Sequence, residues 1–414
     1  MSLKNIKEKV MKAAVEGKLL RKTFNKIIKE FGVDRLIGIL AKKVVFRNEK
    51  VVNNKIFFNT FQGDYTCNPK YITEELIRQN INCDIVWGVR LSQIIKDQDV
   101  PKQVRLVNRY TYEFYREMVT SKIWIVNSVE IFKNPIYKKK SQYLIQTWHG
   151  SLGIKRFDKN VNTGKAWVKA AEFSSKFTDF CISNSSFENN ILRKSFWDKA
   201  EILEYGHPRN DILFSKDNNF NSIKAKVKSK LDVEDNIKYI LYAPTFRDAK
   251  NFDCYDIDFD RLVIQLKNKF GGDWKVLVRF HPTVRELSIN KLKRSEILVD
   301  ATNYLDIQEL MMISDIAITD YSSWIYDFVL TKKPGFIYAT DIEEYNNERG
   351  FYYPLEKTPF SIATNNEELL NNILKFDNHI YQSKVEEFLK DKGCVEDGKA
   401  SYRVVEKIKE IIGE

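Results

Sequence analysis

Five short polar clusters stand where an apolar run ends, and each carries side chains suited to handling a hydroxyl or a phosphate. In Gln146-Thr147-Trp148-His149-Gly150, behind Tyr143-Leu144-Ile145, the imidazole titrates near neutrality and can take a proton from a hydroxyl, while Gly150 lets a substrate approach the backbone. The alternative is a purely structural His149. In Gly206-His207-Pro208-Arg209-Asn210-Asp211 the Gly and Pro are turn residues, and Arg209 with Asp211 reads as an ion pair bracing the loop, with contact to an acceptor as the other reading. Ala243-Pro244-Thr245-Phe246-Arg247-Asp248 offers the Thr245 hydroxyl and the Arg247 guanidinium to a phosphate or a sugar. In Arg279-Phe280-His281-Pro282 strand alternation sends Arg279 and His281 to one side, where both can donate to a phosphate oxygen. Asp320-Tyr321-Ser322-Ser323 precedes a helical pattern from Trp324 to Leu330, so its hydroxyls and free N–H groups would stand at the positive end of a helix. There the alternative is that Asp320 or Ser322 caps the helix. Taken together, Thr245, Arg247, Arg279, His281, Ser322 and Ser323 read as a cradle for a diphosphate.

The elements that must position these clusters follow a strand–helix rhythm. Apolar runs at 55–59, 84–89, 105–107, 122–127, 143–147, 179–183 and 201–205 read as strands, with helical patterns near 71–80, 110–119, 166–177 and 187–196 between them. The rhythm resumes with strands at 239–243, 275–280, 297–299, 316–319 and 335–338, and helices near 258–270, 304–313 and 324–331. Such alternation predicts an α/β protein with two doubly wound, Rossmann-like parallel sheets, whose ligands bind past the carboxyl ends of the strands. The polar stretch 215–236 reads as the passage between two domains, 51–220 and 221–414. A last helical pattern, 401–412, has no strand after it and can pack across either domain.

The 414 residues carry a formal net charge of +11, and residues 1–55 alone hold fifteen Lys or Arg against five Asp or Glu. Apolar positions such as Leu3, Ile6, Val10, Leu19, Phe24 and Ile28 recur there at helical spacing, which predicts a basic amphipathic arm, 1–50, lying on an anionic membrane surface. A helical pair packed on the body with a solvated basic face is the other reading. Nucleic acid is not expected as a partner, because no interleaved basic and aromatic pattern accompanies the charge. No apolar run of membrane-spanning length and no signal-peptide block is present, so a cytoplasmic protein is expected. The five cysteines are scattered without a CxxC pair and read as reduced thiols, and no metal site is expected. Asp256, Asp258 and Asp260 alternate in a charged loop with no histidine, Gly271-Gly272 reads as a turn, and no GxSxG elbow makes Ser322 a hydrolase nucleophile.

The motifs WHG (148–150), GHPRND (206–211), YAPTFRD (242–248), RFHP (279–282) and TDYSSWIYDF (319–328) resemble, in order and spacing, those of the CDP-glycerol glycerophosphotransferase family, which builds teichoic acids and related capsule polymers in bacteria. The resemblance implies a GT-B fold with 51–220 as the acceptor domain and 221–414 as the domain binding the CDP donor, attachment to the inner face of the cytoplasmic membrane, and no cofactor. It also implies transfer of glycerol phosphate or ribitol phosphate from CDP-glycerol or CDP-ribitol to a hydroxyl of a lipid-linked or glycan acceptor, releasing CMP. By the same resemblance His149 would be the general base and His281 would serve the donor phosphate or leaving group, with Thr245, Arg247, Arg279, Ser322 and Ser323 lining the donor site. A GT-B glycosyltransferase using a nucleotide sugar is the alternative enzyme. A non-catalytic membrane-surface protein is the alternative from another class.

Overall fold

The computed structural model describes residues 46, 48–61, 63–90, 99–133, 136–153, 156–157, 165–215, 218–245, 255–280, 295–348 and 350–414. The basic arm expected at 1–50 lies almost wholly outside them.

Two parallel sheets organise the chain. The first contains β1 (Val52–Asn59), β2 (Asp84–Val89), β3 (Val104–Asn108), β4 (Ser121–Val126), β5 (Tyr143–Gln146), β6 (Phe180–Ser183) and β7 (Glu201–Glu204), in the spatial order 3-2-1-4-5-6-7. The second contains β8 (Ile237–Tyr242), β9 (Asp273–Val278), β10 (Leu298–Asp300), β11 (Ile316–Thr319), β12 (Gly335–Tyr338) and β13 (Ser361–Ala363), in the order 10-9-8-11-12-13. Both sheets have the Rossmann-like arrangement, with a reversal of winding beside the first strand, between β1 and β4 and between β8 and β11.

Parallel strands covered on both faces read as continuous apolar runs. In β1, Phe57 enters one cluster with Phe114 and Trp124, while its neighbours Ile56 and Phe58 enter another with Ile72 and Leu76. The second of those clusters also takes Val404, Val405, Ile408 and Ile412 of the terminal helix, Ala400–Ile412, which therefore packs on the first sheet.

Residues 215–236, read above as a polar passage, hold a helix, Asn218–Leu231. Its stripe is narrow: Ile223 and Val227, four apart, are buried among lysines that are exposed or half-buried. The carboxyl ends of the two sheets face one another, and buried charges hold them together. Lys70, on the helix Cys67–Arg78, places its ammonium 2.5 Å from Asp306 and 2.8 Å from Glu309, at the start of the helix Ile307–Ile313. Burial opposes the charge on Lys70, but the carboxylates, Asp306 foremost, hold its pKa well above the ordinary lysine value.

Candidate active site

His149 follows β5 on a turn that the chain builds under strain. Trp148 has φ of +51°, a left-handed conformation that costs a bulky residue about 1–3 kcal/mol. Its amide donates to Gln146 Oε1 at 3.0 Å, and its ring is buried against Trp197 at 5.4 Å and Phe157 at 4.9 Å. A Cβ on Gly150 would stand 2.8 Å from Trp148 Nε1, so only glycine lets this turn close. Asn68, on the helix Cys67–Arg78, donates to the carbonyls of Thr147 and Trp148 at 3.0 and 3.2 Å.

The imidazole sits between Trp148 and Phe61, with ring centroids 4.5 and 5.8 Å away. Nδ1 lies 2.6 Å from the Asn127 carbonyl, an acceptor, which places the proton on Nδ1 and leaves the Nε2 lone pair free in the neutral ring. His149 has a solvent-exposed face, but protein crowds its other sides. That desolvation lowers its pKa below the ordinary histidine value; the bond to Asn127 and the Glu130 carboxylate oppose it, and the Arg209 charge adds to it. At neutral pH the ring is therefore an uncharged base facing solvent.

Across the interface, the carboxyl edge of the second sheet lines up three of the predicted clusters. Arg279 follows β9, Thr245 follows β8 and Asp320 to Ser323 follow β11, with β8 between the other two strands at the reversal of winding. Asp320 does not cap the helix after it. Its carboxylate accepts from the Thr245 amide at 2.9 and 3.0 Å and from the Tyr321 amide at 2.5 Å, tying the two strand ends together. Thr319 Oγ1 and Trp324 Nε1 complete the brace by donating to the Ala243 carbonyl at 2.7 and 2.8 Å. The α-helix expected over 324–331 is only Trp324–Phe328 and tightens to a 3-10 turn, Val329–Thr331, so its dipole is slight. What the elbow offers is its hydroxyls: Ser322 and Ser323 are half-buried, and among the described residues neither hydroxyl has a hydrogen-bond partner.

Arg279 is held by main-chain oxygens, Nε donating to Tyr304 O at 3.1 Å and Nη2 to Leu305 O at 3.4 Å. Burial lowers its pKa, Asp306 opposes this from a distance, and no carboxylate among the described residues pairs with it. Arg247 and His281 lie outside the described residues. The two sides of the site meet closely, since a Cβ on Gly153, just past the His149 turn, would fall 2.9 Å from the Ser323 Cβ.

The Gly206–Asp211 turn differs from its expected form. Arg209 does not pair with Asp211. Its Nε donates to Asp327 at 2.9 Å and its Nη2 to the Gly150 carbonyl at 2.5 Å, while Asp211 accepts from the amides of Ala400 and Ser401 at 2.8 and 2.7 Å, at the start of the terminal helix. Asn68, Asn127, Asp327 and Glu396 were not singled out for the site by sequence reasoning, and Arg209 was read there as the partner of Asp211 or as a contact to an acceptor. Glu396 Oε1 accepts from Asn184, Asn210 and the His207 amide at 3.1, 2.8 and 3.1 Å, deep beneath the turn. Asp256 and Asp258 serve structure, accepting from Tyr338 at 2.6 Å and capping the helix Phe259–Phe270. The four described cysteines are free thiols, and no cluster of metal-ligating side chains occurs among the described residues.

The family described as CDP-glycerol:poly(glycerophosphate) glycerophosphotransferase matches residues 40–410. A teichoic acid poly(glycerol phosphate) polymerase of Bacillus spizizenii is 31% identical, with 95% of this chain aligned to the whole of that protein. A protein of the same description from Staphylococcus epidermidis is also 31% identical over 97% of this chain, which spans 56% of its length. A solved structure of the wall teichoic acid polymerase TagF, soaked with CDPG, superposes with a TM-score of 0.78 at 30% identity, covering 96% of this chain and 97% of that one. Two Rossmann-like sheets in the GT-B arrangement, the motif order and a match over nearly the full length agree: the chain belongs to the CDP-glycerol:poly(glycerophosphate) glycerophosphotransferase family.

Proposed function

We propose that this protein transfers glycerol phosphate or ribitol phosphate from a CDP-linked donor to a hydroxyl of a teichoic-acid-type acceptor, releasing CMP. The observation that carries this reading is the close meeting, at Gly153 and Ser323, of the turn that bears an uncharged imidazole with an edge where, among the described residues, two hydroxyls have no hydrogen-bond partner and a guanidinium has no carboxylate partner. His149 Nε2 takes the proton as the acceptor oxygen attacks the phosphorus bearing the alditol. The new P–O bond forms as the bond to the CMP oxygen breaks, and the electron pair leaves with CMP. Ser322, Ser323 and the remaining N–H groups of Arg279 hold the phosphate oxygens, a role that needs fixed donors and costs little reorganisation. Thr245 stands beside them, and the resemblance adds Arg247 and His281 to the same side.

The acceptor is a lipid-linked or glycan polymer, and the enzyme works at the inner membrane surface, in teichoic acid or capsule synthesis. The support for the membrane is the concentration of positive charge in residues 1–55. No helix among the described residues is long and apolar enough to cross a membrane. Incubation with CDP-glycerol and CDP-ribitol in turn, with a lipid-linked acceptor, should release CMP from one of them. Release of UDP or GDP from a nucleotide sugar, with no CMP from either alditol donor, would overturn the reading. Removal of residues 1–50 should abolish sedimentation with anionic vesicles, and unchanged sedimentation would refute the membrane role.

A further inference from the structure

Arg209 is 3% exposed and joins three parts of the molecule. Its Nη2 donates to Gly150 O at 2.5 Å, and its Nε and Nη2 reach the two oxygens of Asp327 at 2.9 and 3.4 Å. Its own amide donates to Asn68 Oδ1 at 3.1 Å, the same Asn68 whose Nδ2 holds the carbonyls before His149. Asp327 lies one helical turn beyond Ser323, on the short helix that the elbow opens, and its Oδ1 also accepts from Asn210 at 3.0 Å. One side chain therefore connects the turn that carries the imidazole to the helix that carries the free hydroxyls.

We infer that Arg209 is a positioning residue for the transfer: anchored by Asp327 on the donor-side helix, it grips the Gly150 carbonyl and so sets where His149 stands relative to the donor elbow. This rests on the reading of His149 as the base. The fork of a guanidinium is what the task needs, because it spans a carboxylate and a carbonyl at once, whereas an ammonium is a single point. A displacement of about 1 Å at a reacting group is enough to slow a reaction about a hundredfold. A role as a mere bolt between the domains would act on stability and leave the chemistry of the folded enzyme alone.

The charged groups that bear on His149 are Arg209, from the turn after β7, and Glu130, from the turn after β4, and they act in opposite directions. Loss of the Arg209 charge makes the imidazole more basic, so the acid limb of kcat/KM must move to higher pH.

The test is CMP release by the full chain at saturating lipid-linked acceptor, for Arg209→Lys, for the neutral pair Arg209→Gln with Asp327→Asn, and for His149→Ala, each normalised to folded protein. The pair removes both buried charges together, so neither is stranded. Arg209→Lys should lower kcat about tenfold to a hundredfold, with the KM for the CDP donor within about threefold of wild type and the acid limb unmoved. The neutral pair should lower kcat as much and move the acid limb upward. If His149→Ala is inactive while both Arg209 variants keep the wild-type kcat per folded molecule and the wild-type acid limb, the inference fails and the base stands. If His149→Ala keeps its turnover, the base fails and the inference falls with it.

Discussion

The turn that carries His149 and the elbow that carries Ser322 and Ser323 are fixed to opposite degrees. Around His149 the turn is tied at several points while Nε2 has no partner among the described residues: Asn68 takes two carbonyls, Arg209 a third, Gln146 an amide, and Asn127 holds Nδ1. Around the elbow the framework is equally tied, through Asp320, Thr319 and Trp324, but the hydroxyls themselves are without partners among the described residues. On the proposed reading, one side is a proton acceptor organised in advance, and the other is a set of donors left open for an anionic ligand to complete. Changes on the first side should therefore appear in kcat, and changes on the second in the KM for the donor.

The largest break in that contrast is His149→Ala. It removes the proposed base and leaves the proposed donor edge intact, so kcat should fall by about a hundredfold to ten-thousandfold with the donor KM little changed. Steady-state CMP release checks both numbers. A variant that kept most of its kcat would remove the distinction between the two sides. The wild-type acid limb should lie below the ordinary histidine value, as expected of a base whose protonated form is disfavoured by burial.

A second comparison concerns what lies beneath the His149 side. Burial, partly offset by His207 and the amides of Asn210 and Asn184, raises the Glu396 carboxyl from 4.5 to about 7. In the folded chain Glu396 keeps a proton that the unfolded chain has already released, so its contribution is complete below about pH 4.5 and is lost as pH rises through about 7. Glu396→Gln has no such proton to lose. The stability of the variant relative to wild type should therefore rise by about 3 kcal/mol between pH 4.5 and pH 8. Urea denaturation across that range measures it, and a constant difference would mean that the hub beneath the base loop is charged throughout.

Much of this arrangement was legible in the sequence, and what was not has a common cause. The strands Asp84–Val89, Ile316–Thr319 and Gly335–Tyr338 have the predicted bounds, because a buried parallel strand writes itself as an unbroken apolar run. The edge strand Ser361–Ala363 is too short and too polar to do so, and the helix Asn218–Leu231 hides its two buried positions among lysines. The helix Asn378–Lys392 could have been found from Tyr381, Val385 and Phe388, which are buried at helical spacing. The contacts that position the site were beyond reach for another reason. Arg209 and Asp327 are 118 residues apart, and a neighbouring Asp211 offered a nearer partner that the terminal helix had already taken. The partner of His149 is a main-chain carbonyl, which any residue at position 127 would supply and no residue type announces.

The smallest effect, and the one that most sharpens the contrast, comes from Ser322→Ala and Ser323→Ala. Neither hydroxyl supports the fold among the described residues, so both variants should unfold within about 0.5 kcal/mol of wild type. If each hydroxyl meets the donor diphosphate, its loss removes one hydrogen bond to a charged group, worth about 1.5 kcal/mol, and should raise the KM for the CDP donor about tenfold while kcat holds. Ser323 packs against Gly153 on the base side, so of the two it is the one whose removal could also loosen the meeting of the domains. A fall in kcat for Ser323→Ala without one for Ser322→Ala would locate the boundary between the two regions at that contact. A fall in kcat for both, with KM unchanged, would mean that the elbow belongs to the transition state and that the division into a ready base and a waiting donor site is wrong.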